Sequence, residues 1–119
     1  MKIKTLTGIP GFKLLTTGTD TEREFRSVYI CDLLSIVLAK AEAGNAWLTV
    51  QSHKNIVGVA SIKNIPAIII AENFRPDEET VKKAAEENIS ILTSPMPVFD
   101  IAKILAGLPE CTVQNVHER

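Results

Sequence analysis

The stretch that decides the fold runs from residue 46 to residue 71, AWLTVQSHKNIVGVASIKNIPAIIIA. Its two ends, 46–50 and 67–71, are apolar runs, and 67–71 lacks alternation, which is typical of a strand covered on both faces of a parallel sheet. Between them lie a polar loop, 51–54, and a segment, 55–62, that we predict to be a helix. Because parallel neighbours need a crossover between them, usually a helix, the stretch predicts an α/β fold.

The flanking sequence repeats this alternation of strand and helix at a spacing of about 22 residues. The predicted flanking strands are 27–31 and 89–92, and the predicted flanking helices are 33–41, 77–88 and 98–105. Asp32 is predicted to be the N-cap of the helix at 33–41, since an Asp at that position can accept a hydrogen bond from the first turn. We therefore expect a mainly parallel sheet flanked by helices.

The chain of 119 residues has the length of one domain. Residues 1–26 are interrupted by Gly and Pro and contain two strand-like pieces, 12–16 and 22–25. We predict that residues 1–26 form a small N-terminal β appendage packed on the main α/β domain, 27–108, and that 109–119 form a polar tail.

Composition excludes several classes of function. Thirteen Lys and Arg stand against fourteen Asp and Glu, which leaves a net charge of −1 and no excess of positive charge for nucleic acid. The longest apolar run falls far short of the roughly 20 residues that span a bilayer. Cys31 and Cys111 follow no metal-binding or disulfide spacing, so we predict two free thiols in a cytoplasmic protein without cofactor or metal.

Polar residues follow three neighbouring strands of the predicted sheet. Since the carboxyl ends of parallel strands lie at one edge, the loops after them are expected to converge, and ligands usually bind there. Hydroxyl, imidazole and amide groups in these loops favour a small anionic ligand, for example the phosphate of a nucleotide. The candidate ligand-binding residues are Ser52, His53, Asn55, Glu72, Asn73, Thr93 and Ser94. The alternative is that Ser52, Asn73 and Ser94 only cap helices and turns.

A second interpretation is enzymatic. His53 could act as a base toward Cys31 or Asp32 in phosphoryl or acyl transfer, since both follow the neighbouring predicted strand. We favour a small buried thiol followed by a helix cap as the interpretation of Cys31 and Asp32, since the sequence supplies no third catalytic group. We therefore predict no catalytic residue.

The predicted helix 33–41 carries more apolar residues than one buried stripe requires. Leu34, Val37 and Leu38 are accordingly predicted to lie in a homodimer interface, since two-fold association is the commonest soluble oligomer.

Several segments resemble the DRTGG domain family in order and spacing. They are Cys31-Asp32-Leu33-Leu34-Ser35, residues 47–53 (WLTVQSH), 67–70 (AIII), 77–80 (DEET), and 91–94 (ILTS) with 99–102 (FDIA). The likeness is to small stand-alone members, which are similar to the N-terminal domain of HPr kinase/phosphorylase. The sequence differs from the family at the motif that gives the family its name. Ser52-His53 stands in place of Asp-Arg, and Ala71-Glu72-Asn73 stands in place of Thr-Gly-Gly.

The resemblance implies a regulatory module, often dimeric, without an established catalytic residue. It also implies a protein partner from an iron-only hydrogenase or sensor-kinase system. Together with the strand-end loops, it favours a non-catalytic, ligand-sensing regulatory module; the alternatives are a small enzyme and a pure docking or dimerisation subunit.

Overall fold

The computed structural model describes residues 1–111 of the chain, and part of the predicted C-terminal tail, 112–119, lies outside the described residues. A five-stranded sheet has the order β1-β5-β4-β3-β2. The strands are β1 (Lys13–Leu14), β2 (Val28–Ile30), β3 (Ala46–Thr49), β4 (Ala67–Ile70) and β5 (Ser90–Thr93). The helices are α1 (Ile3–Thr7), α2 (Leu34–Lys40), α3 (Asn55–Lys63), α4 (Glu78–Glu86) and α5 (Val98–Ala106).

Strands β2 to β5 are parallel, and only β1 runs antiparallel to its neighbour. The register pairs Thr49 with Ile70 and Ile70 with Thr93, so β3, β4 and β5 end level with one another. The predicted α/β class and parallel sheet are therefore confirmed, and each of the predicted strands and helices from residue 27 onward is present within a few residues of its predicted bounds.

The sheet separates two apolar cores. Odd and even positions along a strand point to opposite faces, so Leu48 and Ile69 enter one core while Trp47 and Ile68 enter the other. Trp47 is completely buried, and its Nε1–H donates to the Cys31 carbonyl at 2.8 Å. The indole thereby joins β3 to the end of β2.

The N-terminal segment contributes to the first of these cores. Ile3, Leu6 and Phe25 are completely buried there beside Leu48 and Ile69. The helix α1 is absent from the sequence-based prediction because five residues are too few to show a helical period. Segment 12–16 supplies β1, an edge strand of the main sheet, and residue 24 of the second predicted piece pairs with Lys2 through an isolated bridge.

The predicted role of Asp32 as an N-cap is wrong. Leu33 occupies the N-cap of α2 and makes no side-chain cap. Asp32 Oδ1 instead accepts hydrogen bonds from the Thr49 hydroxyl at 2.7 Å and from the Val50 N–H at 2.9 Å. Asp32 therefore fastens the end of β2 to the end of β3, a tertiary contact that local sequence does not reveal.

Within residues 1–111, every helix is too short or too polar to cross a lipid bilayer.

Candidate functional site

The loops after β4 and β5 are held together by backbone hydrogen bonds. Asn73 N–H donates to the Ser94 carbonyl and Glu72 N–H donates to the Met96 carbonyl, each at 2.9 Å. The end of β3 joins the same edge, because the Thr49 carbonyl accepts from Ala71 N–H at 2.9 Å. Three polar loops thus follow strands that end side by side.

Glu72 and Asn73 both have left-handed backbone conformations, with φ of 61° and 60°. A non-glycine residue adopts this region at a cost, although Asn tolerates it better than Glu. Two consecutive glycines would adopt it without that cost. The Gly-Gly of the DRTGG motif, with which the sequence was compared, would suit these two positions, and in this chain Glu72 and Asn73 adopt the turn instead.

His53 lies in the loop immediately before α3, two residues ahead of its first residue, Asn55. The Asn55 N–H donates to His53 Nδ1 at 3.4 Å, and the Ile56 N–H donates to the His53 carbonyl at 3.1 Å. The His53 and Asn55 side chains are exposed, whereas Ser52 is half-buried. His53 therefore has a local capping contact, and the outer part of its ring faces solvent.

Thr93 and Ser94 are buried, in contrast to Glu72 and Asn73, which are exposed. Ser94 Oγ accepts a hydrogen bond from the Met96 N–H at 3.2 Å, so its hydroxyl stabilises the turn that enters α5. The capping interpretation accounts for this hydroxyl. Ser94 can form part of the floor of a site, but its side chain is not displayed at the rim.

Two predicted site residues, Asn73 and Thr93, line one cleft of about 310 Å³, which we call the small cleft. Gly11, Lys13, Arg75 and Pro95 also line it. Lys13 lies there because β1 pairs with β5 and places it opposite Thr93. Sequence analysis missed Lys13, since local sequence in the N-terminal segment does not indicate which edge of the sheet the segment joins. It also left out Arg75, although Arg75 follows the candidate residues Glu72 and Asn73 in the same loop.

A larger cleft of about 780 Å³, the large cleft, adjoins it and shares Arg75. Its walls are the segment after β1 and the exposed side of α4. The residues that define it are Leu15, Thr17, Arg75, Asp77, Val81 and Lys82.

Asn55 lies apart from Asn73 and Thr93. It lines a third cleft, also of about 310 Å³, between α3 and α4, with Lys54 and Thr80. The structure therefore brings the three loops to one edge while distributing their side chains over two different clefts. Ser52, His53, Glu72 and Ser94 line none of the three clefts described here.

Asp77 lies at the boundary between the large cleft and α4. Its Oδ1 accepts from the Thr80 N–H at 2.8 Å and caps the helix, as Asp does at this position. This hydrogen bond lowers the pKa of Asp77 below its usual range, and the charges of Lys54 and His53 lower it further. Asp77 thus carries a negative charge next to cationic loops.

The proposed pairing of His53 with Cys31 or Asp32 finds no hydrogen bond among residues 1–111. The Cys31 thiol donates to the Leu33 carbonyl at 3.7 Å, and the Asp32 carboxylate is engaged by Thr49 and Val50. No observation in this part of the chain favours the enzymatic interpretation. The same residues contain no cluster of three or more His, Cys, Asp or Glu side chains that could hold a metal ion.

The predicted dimer residues differ in exposure. Val37 is completely buried within the protomer, so it packs in the core and is unavailable at the surface, contrary to expectation. Leu34 is half-buried, and Leu38 is 39% exposed. Further exposed apolar side chains nearby are Ile30, Leu33 and Ile36.

Comparison with known proteins supports the fold. The chain is similar to the CBS and DRTGG domains of the regulatory region of Clostridium perfringens pyrophosphatase, in a crystal structure with the activator diadenosine tetraphosphate. The TM-score is 0.55 at 15% sequence identity, and the similarity covers 64% of this chain and 33% of the other. No protein-family model and no curated protein matches this sequence. At this identity the likeness shows a DRTGG-like fold, and this chain spans about a third of the protein it matches.

Proposed function

We propose that this protein is a non-catalytic regulatory module of the cytoplasm that senses a small anionic ligand of the nucleotide type and acts as a homodimer. The observation that carries the proposal is the level ending of β3, β4 and β5, whose polar loops are joined by backbone hydrogen bonds. The structurally similar pyrophosphatase region is regulatory and was crystallised with a nucleotide activator. Membership of the DRTGG family is part of the proposal.

The predicted residues have separable parts in this proposal. Ser52, His53 and Asn55 present polar groups at the start of α3, and Glu72 and Asn73 present them beside β5. Thr93 and Ser94, which are buried, support the loop backbone and the floor. Cations in or beside the same loops, Lys54 and Arg75, attract an anion to this edge.

A thermal-shift screen tests ligand sensing, with ATP, AMP, diadenosine tetraphosphate and inorganic phosphate as probes. A probe at 100 times its dissociation constant stabilises a protein by about 2.7 kcal/mol, which raises the melting temperature by several degrees in a domain of this size. We expect at least one nucleotide to do so. The absence of a shift with every probe at millimolar concentration would contradict the proposal.

A double variant then tests the loop before α3. A ligand bound at this loop loses part of its shift in Ser52→Ala with His53→Ala, because the double variant removes a hydroxyl and an imidazole from the rim. Ser61→Ala is the matched control, since Ser61 is exposed within α3 far from its N-terminus. An unchanged shift in the double variant would remove Ser52 and His53 from the site.

A docking subunit is the second candidate, and exposed apolar side chains favour it. Ile30 is 48% exposed and Leu33 is 58% exposed, next to the free edge of the sheet at β2. The partner implied by the sequence resemblance is a hydrogenase or sensor-kinase component. Pull-down with such a candidate distinguishes the two functions: a docking subunit retains its partner after Ser52 and His53 are substituted.

A further inference from the structure

The small and large clefts follow one another along the same face of the edge strand β1. Lys13 pairs with Thr93, and Leu15 N–H donates to the Ile91 carbonyl at 2.8 Å, so the extended backbone continues past the strand. Side chains two positions apart in an extended segment point to the same face. Lys13 therefore lines the small cleft, Leu15 lines the large cleft, and Arg75 borders both.

The two clefts differ in charge. The described lining of the small cleft includes Lys13 and Arg75 and no carboxylate. The described ion pairs join Met1, Lys2 and Lys4 to Glu22 and Glu24, and none of them includes Lys13 or Arg75. An anion in the small cleft would meet two cations whose charges no described ion pair offsets.

The large cleft is balanced in charge and partly apolar. Its lining contains two carboxylates, Asp77 and Glu78, and two cations, Arg75 and Lys82, while Leu15 and Val81 supply apolar surface. Carboxylates there repel a phosphate but accept hydrogen bonds from sugar hydroxyls. The two volumes, about 310 and 780 Å³, lie within the range of small-molecule sites.

We propose that these two clefts together form a binding site for a nucleoside monophosphate, with the phosphate between Lys13 and Arg75 and the nucleoside along α4. This inference rests on the proposed ligand-sensing function and gives it a location that differs from the rim at Ser52 and His53. The guanidinium of Arg75 can donate two parallel hydrogen bonds to a phosphate, which an ammonium group cannot do.

The test uses AMP, inorganic phosphate and adenosine, titrated into the ¹⁵N-labelled full chain and followed by NMR and calorimetry. AMP is expected to bind at least about tenfold more tightly than inorganic phosphate, because only AMP fills both clefts. Amide shifts are expected at residues 11–17 and 73–85. Equal affinities for AMP and phosphate would overturn the two-cleft site.

Arg75→Ala is expected to weaken AMP binding at least about tenfold, and Arg75→Lys is expected to restore part of it. Lys103→Ala on α5 is the charge-matched control, and it should bind AMP like the unmodified protein. Arg75 is exposed, so its substitution should leave the melting temperature unchanged and any loss of affinity interpretable.

The outcomes separate this inference from the broader function. AMP binding that shifts residues 51–55 and resists Arg75→Ala overturns the inference and leaves the proposed function standing. Binding of another anion in the thermal-shift screen, without binding of AMP, also overturns the inference and leaves the proposed function standing. If none of the anions binds, both proposals fail.

Discussion

The two edges of the sheet present different surfaces. At the β1 edge, Lys13 and Arg75 line the small cleft, and the adjoining large cleft adds carboxylates and apolar side chains. At the β2 edge, Ile30 and Leu33 are exposed apolar side chains. One edge therefore suits a small charged ligand, while the other suits contact with another protein surface.

The difference shows how a single sheet can separate ligand binding from association. The connecting strands β3, β4 and β5 are completely or nearly completely buried, so they join the edges as a rigid layer. The helices α2, α3 and α4 contact one another in turn, so the sheet and this helical layer both connect the two edges. Substitutions at each edge, and in the strands that connect the edges, therefore test whether ligand binding and association use different edges.

The largest effect is expected at the connection between β3 and the β2 edge. Trp47→Ala should destabilise the protein by about 3–5 kcal/mol, because it removes a large buried ring and leaves a cavity. The variant also leaves the Cys31 carbonyl without its indole donor. Denaturation by urea measures the loss.

Trp47→Phe is the comparison variant for this prediction. It retains an aromatic ring but loses the Nε1–H bond, and should cost about 1–3 kcal/mol. Hydrogen exchange is expected to increase first at residues 28–40 rather than at residues 13–15. Equal acceleration at both edges would argue against an independent β2 edge.

An intermediate effect is expected for dimerisation, which stays a prediction of sequence and surface. Successive helix residues are about 100° apart, so Leu34 and Leu38 share one flank of α2, while Ile36 lies on the opposite flank. Leu38→Asp and Ile36→Asp introduce a charge on opposite flanks. The variant on the flank that forms the interface should reduce the free energy of dimerisation by about 2 kcal/mol or more, as substitutions of interface hot spots do.

Analytical ultracentrifugation of both variants identifies the flank. Ile62→Asp is the control, because Ile62 is 71% exposed on α3, outside α2. A protein that sediments as a monomer at all practical concentrations would contradict dimerisation altogether.

The smallest effect is expected at Asp77, beside the large cleft. Its pKa is lowered in the folded state, chiefly by the hydrogen bond from the Thr80 N–H. The stabilisation is therefore fully present above the unfolded pKa of about 3.9, and is lost as the pH falls through the lower folded value. Asp77→Ala should lower the melting temperature by a few degrees at neutral pH.

Asp77→Asn keeps the cap but not the titration, since Asn is an equally good N-cap. The difference in melting temperature between the unmodified protein and this variant should shrink as the pH falls from about 6 to about 3. A constant difference over that range would show that the charge of Asp77 contributes nothing.

Most of the fold beyond residue 26 could be predicted because local pattern and tertiary role agree there. The run at 67–70 lacks alternation, as expected of a strand covered on both faces. The acidic residues at the start of α4 are typical of a helix N-terminus, where the helix dipole favours negative charge. The first 26 residues lack such agreement. Lys13 and Leu14 form a strand only because β5 offers a free edge, and local sequence cannot specify a partner about 80 positions away.

The candidate site divides in the same way. Sequence correctly placed three loops at the carboxyl ends of parallel strands, yet it could not distinguish displayed side chains from buried ones. Ser94 and Asn73 are both small and polar, but Ser94 is 1% exposed and bonds within its turn, whereas Asn73 is exposed and lines the small cleft.

Hydrophobic pattern alone determined the alternation of strands and helices in this protein and the parallel course of its central strands, because a strand buried on both faces is continuously apolar and a helix links it to the next. The tertiary structure alone decided that Lys13 and Arg75 line one cleft, that Asp32 binds Thr49 instead of capping α2, and that Val37 turns inward. Each of these contacts joins residues whose separation in the chain, or whose orientation on a helix, is settled only when the whole sheet assembles.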